Sequence, residues 1–198
     1  MIVYTLLVLF SPSIPTPPPE AYKYVSSSEP TVPLDLPPPN AAPECDLSVV
    51  IPAYNEAARL PPMLTEALGH VIGSTLWESV EFLIVDDGSK DNTADVALQF
   101  PVPDDPKSSV DVSIHVVKLW KNSGKGAAVK HGMLHARGKR MLMVDADGAS
   151  KFSDLDKLWA AMDNGAEVVC GSRAYLVETE AVVKVCSSRQ YFTSRIGI

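Results

Sequence analysis

Short apolar runs alternate with helix-compatible segments from about residue 45 onward. The runs predicted to be β-strands cover residues 47–51, 80–85, 112–117, 140–144 and 167–170. The first of them, LSVVI, is apolar without interruption, which is typical of a strand covered on both faces. This spacing predicts several strands separated by segments long enough to cross back over a sheet.

The segments between these runs carry helix signals. A helix is predicted after Pro61 and Pro62, because proline is tolerated in a first turn. Asp91 is predicted to cap a short helix through residue 100. A third helix is predicted over 126–137, ended by Gly138, and a fourth from Ser153 to a stop at residue 165. Strands alternating with helices predict an α/β fold with a largely parallel sheet.

The N-terminal quarter has a different composition. Residues 1–10 are apolar, but a bilayer span needs roughly 20 such residues, so they are predicted to be a stub of an anchor or an ordinary terminus. Eleven of the 17 prolines lie between Pro12 and Pro43. Proline removes a backbone donor and blocks helix, so residues 11–44 are predicted to be a linker or a segment packed over the domain surface. The folded domain is predicted to begin near Cys45.

Charge and cysteine content exclude some classes of function. The 198 residues carry a net charge of −7, which argues against general nucleic-acid binding. Three cysteines without a C-x-x-C pair indicate neither a disulfide framework nor a zinc site. Seven Lys and Arg residues lie between Lys118 and Arg140 with no acidic residue among them. This run indicates either an exposed helix with its flanks or a surface that attracts an anionic acceptor or lipid.

Polar residues with useful chemistry follow four of the predicted strands. They form the segments PAYNE from residue 52, DDGS from residue 86, DADG from residue 145 and GSR from residue 171. The carboxyl ends of parallel strands meet at one edge of a sheet, where ligands of such folds bind. The sequence therefore predicts one site that collects all four segments.

Each of these groups has a chemical use at such a site. Asp145 and Asp147 stand two residues apart, so both carboxylates can point toward one Mg²⁺ or Mn²⁺, completed by substrate phosphates and water. Asp86 or Asp87 could accept hydrogen bonds from a base or ribose. Two further candidates are Tyr54, which could line a nucleobase pocket, and Arg173, which could hold a phosphate by a forked contact.

The ordered set PAYNE, IVDDGSKDNT, KNSGKGAAVKHG, VDADG and GSR resembles the inverting glycosyltransferases of family 2, which have the GT-A fold. The longer run from KNSGKG to GASKFSDLDKL is similar to dolichyl-phosphate β-glucosyltransferases. The resemblance covers residues 47–184 and implies a GT-A domain over 45–184 followed by a divergent tail over 185–198. By position it implies nucleotide contacts for Pro52, Ala53, Tyr54, Glu56, Asp86, Asp87 and Lys125, metal and diphosphate contacts for Asp145 and Asp147, and a phosphate contact for Arg173.

The resemblance also implies a reaction. Glucose would pass from UDP-glucose to dolichyl phosphate with inversion, at the cytosolic face of the endoplasmic reticulum membrane, in N-glycan assembly. A phosphate monoester is largely ionised near neutral pH, so no general base is assigned. Two alternatives stay open. One is a sister enzyme that uses GDP-mannose, or a transferase that acts on a polyprenyl phosphate or forms a polysaccharide. The other, suggested by a C-terminus that reads as truncated, is an inactive fragment that binds nucleotide weakly.

Overall fold

The computed structural model describes residues 18–39, 41–103, 105–106, 108–172 and 182–186. The strands are β1 (Lys23–Ser26), β2 (Glu29–Asp35), β3 (Cys45–Ala53), β4 (Ser79–Asp86), β5 (Asp111–Lys118), β6 (Gly138–Met143), β7 (Val168–Ser172) and β8 (Val182–Cys186). The helices are α1 (Leu60–Ile72), α2 (Thr93–Leu98), α3 (Lys125–His135) and α4 (Leu155–Asp163). Every strand and helix predicted after residue 45 is present, with bounds that differ by a few residues.

Six strands form one sheet in the order β2-β1-β5-β4-β3-β6. Four neighbouring strands of this sheet run parallel, so their carboxyl ends meet at the same edge. They are β5, β4, β3 and β6. Helix α3 covers one face of this sheet, and α1, α2 and α4 cover the other. This confirms the predicted α/β architecture with a largely parallel sheet.

The N-terminal hairpin differs from the predicted linker. Strands β1 and β2 pair antiparallel, and β1 continues the sheet by pairing with β5 through Val25 and Val116. Strand β2 is the outer edge and is exposed along its whole length. An edge strand tolerates proline because one row of its N–H groups faces solvent, which explains how Pro33 fits within β2. The prediction of a domain start near Cys45 missed these strands, and the stub 1–10 lies outside the described residues.

Helix α1 shows why the chain is helical after residue 60. Pro61 and Pro62 are the second and third residues of this helix, in the first turn, where a backbone N–H would have no partner inside the helix. Its buried residues recur every three or four positions and face the sheet. They are Leu60, Met63, Leu64, Ala67, Leu68 and Val71.

Two predicted helix boundaries are wrong for identifiable reasons. Gly138 does not end α3; it is the first residue of β6, and a Cβ there would lie 2.3 Å from the backbone nitrogen of Ser48. The glycine is needed for close approach to β3 and not for a helix stop. Ser153 does not cap α4, because it lies inside a 3-10 turn that precedes the helix. Gly165 has φ of +92°, as a helix stop requires.

Strand β7 was expected to join the parallel sheet, and this is also wrong. It pairs antiparallel with β8 in a separate two-stranded sheet. A continuous apolar run predicts a strand but contains no information on its pairing partner. Strand β8 includes the first two residues of the predicted tail 185–198. No helix among the described residues is long and apolar enough to cross a membrane.

A buried polar network ties the hairpin to the sheet. The guanidinium of Arg137 donates to Glu81 on β4 at 2.6 Å and to Nδ1 of His115 on β5 at 2.5 Å. The ring of Tyr24 on β1 lies 4.7 Å from the His115 ring. Burial raises the pKa of the Glu81 carboxyl. Burial and the adjacent guanidinium lower the pKa of His115 to about 3, so this imidazole is neutral at physiological pH.

Candidate functional site

A pocket of about 360 Å³ opens where β3, β4 and β6 end and α3 begins. Its lining residues are Pro52, Ala53, Tyr54, Glu56, Arg59, Asp87, Asn122, Gly124, Lys125, Ala128, Asp145, Ala146 and Asp147. Eight of the ten predicted site residues are among them. Of the other two, Asp86 lies outside the lining and Arg173 lies outside the described residues.

The loop after β3 is held by the loop after β4. Asn55 adopts a left-handed conformation with φ of +56°, which asparagine tolerates better than most residues. Its backbone N–H donates to the Ser89 hydroxyl at 2.9 Å, and its side-chain oxygen accepts from the Lys90 N–H at 2.8 Å. The Glu56 N–H donates to the hydroxyl of Thr93 at 2.8 Å. These bonds fix the direction in which the neighbouring pocket residues leave β3.

Tyr54 and Glu56 reach the pocket in different ways. The Tyr54 side chain is 38% exposed at the pocket, so one face of its ring is available to a flat ligand. Glu56 is mostly buried and pairs through Oε1 with Nη2 of Arg59 at 2.6 Å. Its other oxygen is buried without a hydrogen-bond partner among the described residues.

Asp87 organises the wall of the pocket formed by the loop before α3. Its carboxylate is 3% exposed and accepts from the N–H of Ser123 at 2.8 Å and from the N–H of Gly124 at 2.7 Å. Gly88, with φ of +71°, lets the two loops touch, since a Cβ there would lie 2.9 Å from the Asn122 nitrogen. Asp87 therefore positions the start of α3, and with it Lys125.

Asp86 has a different environment from its neighbour. It is 1% exposed, and its Oδ1 accepts from the Ser89 N–H at 2.9 Å. Its Oδ2 is buried with no hydrogen-bond partner among the described residues. Side chains alternate along a strand, so two consecutive aspartates at a strand end point in different directions. The structure brings Asp87 to the pocket lining and leaves Asp86 behind it.

The two carboxylates after β6 stand at the pocket with a buried alanine between them. Ala146 is 3% exposed and belongs to the hydrophobic core, which anchors the segment. Asp145 Oδ1 pairs with Nζ of Lys125 at 2.5 Å. Asp147 is exposed, and its Oδ1 accepts from the Ala149 N–H at 2.9 Å. The D-x-D segment thus presents both acids to the ligand space, as the sequence predicts.

A divalent metal fits these residues. Among the described residues no three His, Cys, Asp or Glu side chains come close enough to hold a metal by themselves. Mg²⁺ is typically held by one or two carboxylates plus substrate phosphates and water, which matches a pair of acids at an open pocket. The pocket lining contains four carboxylates and two cations. An anionic diphosphate would be repelled by this excess of negative charge unless a cation neutralised it.

Sequence reasoning missed several residues of the lining. Arg59 is the most important, since it adds a guanidinium to the pocket. Its spacing of three residues from Glu56, just before the first turn of α1, was the signal that could have found it. Asn122, Gly124 and Ala128 also line the pocket, and they lie within or beside the KNSGKG segment that supplied Lys125.

These features define the class of protein. The family model for Glycosyl transferase family 2 matches residues 48–189. The chain belongs to glycosyltransferase family 2, and its mostly parallel sheet flanked by helices is that of a GT-A domain. The match extends five residues into the predicted tail 185–198.

The chain is similar to dolichyl-phosphate beta-glucosyltransferases. It is 45% identical to that of Dictyostelium discoideum (70% of this chain, 43% of the relative) and 41% identical to that of Saccharomyces cerevisiae (92% and 58%). It is 40% identical to that of Homo sapiens (76% and 46%). The chain therefore spans about half the length of the curated relatives it matches.

Solved structures with a similar fold are more distant. The crystal structure of S. aureus TarS 1-349 in complex with UDP is 25% identical and superposes with a TM-score of 0.44, over 60% of this chain and 32% of that one. The mannosyltransferase PcManGT from Pyrobaculum calidifontis, in complex with GDP-Man and Mn2+, is 23% identical with a TM-score of 0.43, over 71% and 38%.

Proposed function

We propose that this chain carries the donor site of a glucosyltransferase that moves glucose from UDP-glucose to dolichyl phosphate, giving dolichyl β-D-glucosyl phosphate and UDP. The observation that supports it most is the pocket in which Asp145, Asp147 and Lys125 meet Tyr54 and Asp87. It lies at the carboxyl edge of a parallel sheet, where ligands of such folds bind. The relatives that share this segment carry the same activity in their names.

In this proposal the pocket residues divide the donor between them. The exposed ring of Tyr54 stacks against the uracil ring, and Glu56 holds the guanidinium of Arg59 at the pocket through their ion pair. Asp87 keeps both oxygens on the loop before α3, so its role is mainly positioning. Lys125 and Arg59 supply the positive charge that lies closest to the diphosphate.

Transfer is a direct displacement at the anomeric carbon, with inversion from α to β. Asp145 and Asp147 would hold Mg²⁺ or Mn²⁺, which neutralises charge on the departing diphosphate. Lys125, now paired with Asp145, stands where it can donate to a phosphate oxygen of that leaving group. The attacking phosphate oxygen is already ionised near neutral pH, so the chain needs to orient it and not to deprotonate it.

The acceptor determines the cellular location of the proposed reaction. Dolichyl phosphate is a membrane lipid, so the pocket must face a membrane surface. We propose the cytosolic face of the endoplasmic reticulum as that surface, with the product feeding N-glycan assembly. Arg173 is proposed to hold a phosphate by a forked contact.

A transfer assay tests the proposal. The chain is incubated with radiolabelled UDP-glucose and dolichyl phosphate in detergent micelles with Mn²⁺, and label in the organic phase is counted. The proposal predicts label from UDP-glucose and none from GDP-mannose, lost with chelator and in Asp147→Ala, but kept in the exposed-residue control Asp111→Asn. Transfer from GDP-mannose alone would favour the sister enzyme. Nucleotide binding without transfer from either donor would favour a binding fragment.

A further inference from the structure

An exposed tryptophan stands beside the pocket. Trp120 follows β5 and is 48% exposed, and Nζ of Lys121 lies 4.4 Å from the centre of its ring. Two residues later the chain forms the pocket wall at Asn122. Single exposed apolar residues are common on protein surfaces, so exposure alone decides nothing. The fixed loop and the positive charge around Trp120 are the observations that indicate a role for its ring.

The loop that carries Trp120 is fixed at both ends. Leu119 is buried, and its N–H donates to the carbonyl of Asp86 at 2.8 Å. Beyond Trp120, the backbone of Ser123 and Gly124 is bound by the carboxylate of Asp87. These bonds hold the backbone on both sides of Trp120, and the residue stands 48% exposed between them.

The charged residues between Lys118 and Arg140 are all cations, and part of this positive charge is uncompensated. Four of the seven cations between Lys118 and Arg140 form ion pairs with carboxylates; they are Lys125, Arg137, Lys139 and Arg140. The remaining three are Lys118, Lys121 and Lys130, and none of them has an ion pair with a described carboxylate. Lys121 follows Trp120 directly, and Lys118 lies two residues before it. An anionic surface is the partner that this arrangement fits.

We propose that Trp120 and Lys121 form a contact with the headgroup region of an anionic lipid bilayer. The inference rests on the proposed function, in which the acceptor is a membrane lipid. A tryptophan ring with its apolar body and polar N–H suits the membrane–water interface, and a neighbouring lysine is attracted to anionic headgroups. Because Asn122 lines the pocket, docking this loop on a bilayer brings the pocket wall within a few residues of the lipid surface.

Vesicle binding tests the proposal. The 198-residue chain is mixed with phosphatidylcholine vesicles, with or without phosphatidylserine, and tryptophan emission and co-flotation are measured. Trp77 is 4% exposed, and Trp159 is partly buried with an edge-on contact to Trp77 and the guanidinium of Arg140 over its ring. Trp120 is therefore the most exposed tryptophan of the described residues, and a blue shift that is lost in Trp120→Phe reports its environment. Trp120→Phe should abolish the shift. Trp120→Ala should weaken binding on the order of tenfold, as expected when about half of a tryptophan surface leaves the interface.

Charge and matched controls make the result specific. Lys121→Ala should weaken binding about fivefold, and only to vesicles containing phosphatidylserine. Leu76→Ala and Lys139→Ala remove an exposed leucine and an exposed lysine elsewhere and should change nothing. Binding of Trp120→Ala equal to wild type, or an equal loss in the Leu76 control, overturns the proposal.

The same samples separate this proposal from the one on which it rests. Trp120→Ala and Lys121→Ala should bind UDP-glucose as tightly as wild type in a calorimetric titration, since neither side chain lines the pocket. If the wild-type chain binds UDP-glucose but no vesicle, the bilayer contact is refuted and the proposed donor site is unaffected. If the chain binds vesicles through Trp120 but binds no nucleotide, the bilayer contact is supported and the proposed function is refuted.

Discussion

Gly88 is a position where the structure predicts a large loss of stability from one added methyl group. The residue has φ of +71°, and a Cβ would lie 2.9 Å from both the Asn122 nitrogen and the Lys121 carbonyl carbon. A left-handed backbone costs an L-residue about 1–2 kcal/mol. Overlap with backbone atoms, which cannot rotate away as a side chain can, adds about 1–3 kcal/mol. Gly88→Ala should therefore lower the free energy of unfolding by about 2–5 kcal/mol.

The assay is urea unfolding followed by tryptophan emission, with Gly126→Ala as the matched control. Gly126 lies in α3, and a Cβ there would meet no atom within 4 Å. Its replacement should stabilise the chain by up to about 1 kcal/mol through helix propensity. Gly88→Ala should also weaken nucleotide binding, because the loop it displaces forms the pocket wall. If Gly88→Ala unfolds within about 0.5 kcal/mol of wild type, the described packing of the two loops is wrong.

Three further predictions concern the buried charges. Arg137→Ala should lower the free energy of unfolding by about 3–5 kcal/mol, because it leaves the buried carboxylate of Glu81 without its cation. Lys139→Ala breaks an exposed pair and should have a far smaller effect, so equal losses in urea unfolding would contradict the network. The pKa of His115 is about 3 in the fold against 6.5 in the unfolded chain, so the unfolded state takes up a proton first as pH falls below 6.5. The free energy of unfolding should therefore fall by up to about 1.4 kcal/mol for each pH unit between pH 6.5 and about 3. His115→Gln should lack this pH dependence, and parallel pH profiles of the two proteins would contradict the prediction. In Asp87→Asn, a carboxylate that accepts from two backbone N–H groups becomes an amide whose single oxygen replaces only one of the two acceptors. The affinity for UDP-glucose should then fall about tenfold or more in a calorimetric titration. Unchanged affinity would contradict the positioning role of Asp87.

The sequence predicted the parallel core well because that signal is local. Continuous apolar runs identified β3, β4, β5 and β6 within one or two residues at most ends. The same order placed the polar segments after β3, β4 and β6 at one edge, and the pocket lies there. The fold and the position of the pocket could both be predicted from the strand ends, since parallel strands bring their carboxyl ends together.

The errors came from contacts between residues far apart in the chain. The hairpin of β1 and β2 depends on pairing with β5, which no local pattern in a proline-rich segment reveals. The role of Gly138 depends on the backbone of Ser48, ninety residues away in sequence. The choice between Asp86 and Asp87 depends on which face each side chain takes at the end of β4, and two adjacent aspartates do not show that on their own.

The proposed function depends on a metal-dependent nucleotide-sugar site at Asp145 and Asp147. The most direct measurement is a calorimetric titration of UDP-glucose and of GDP-mannose into the chain, with Mn²⁺ or with chelator, and into Asp147→Ala. UDP-glucose alone should bind, and its binding should be present with Mn²⁺ and lost with chelator and in the variant. Binding of neither nucleotide, or binding that survives both chelator and Asp147→Ala, would contradict it.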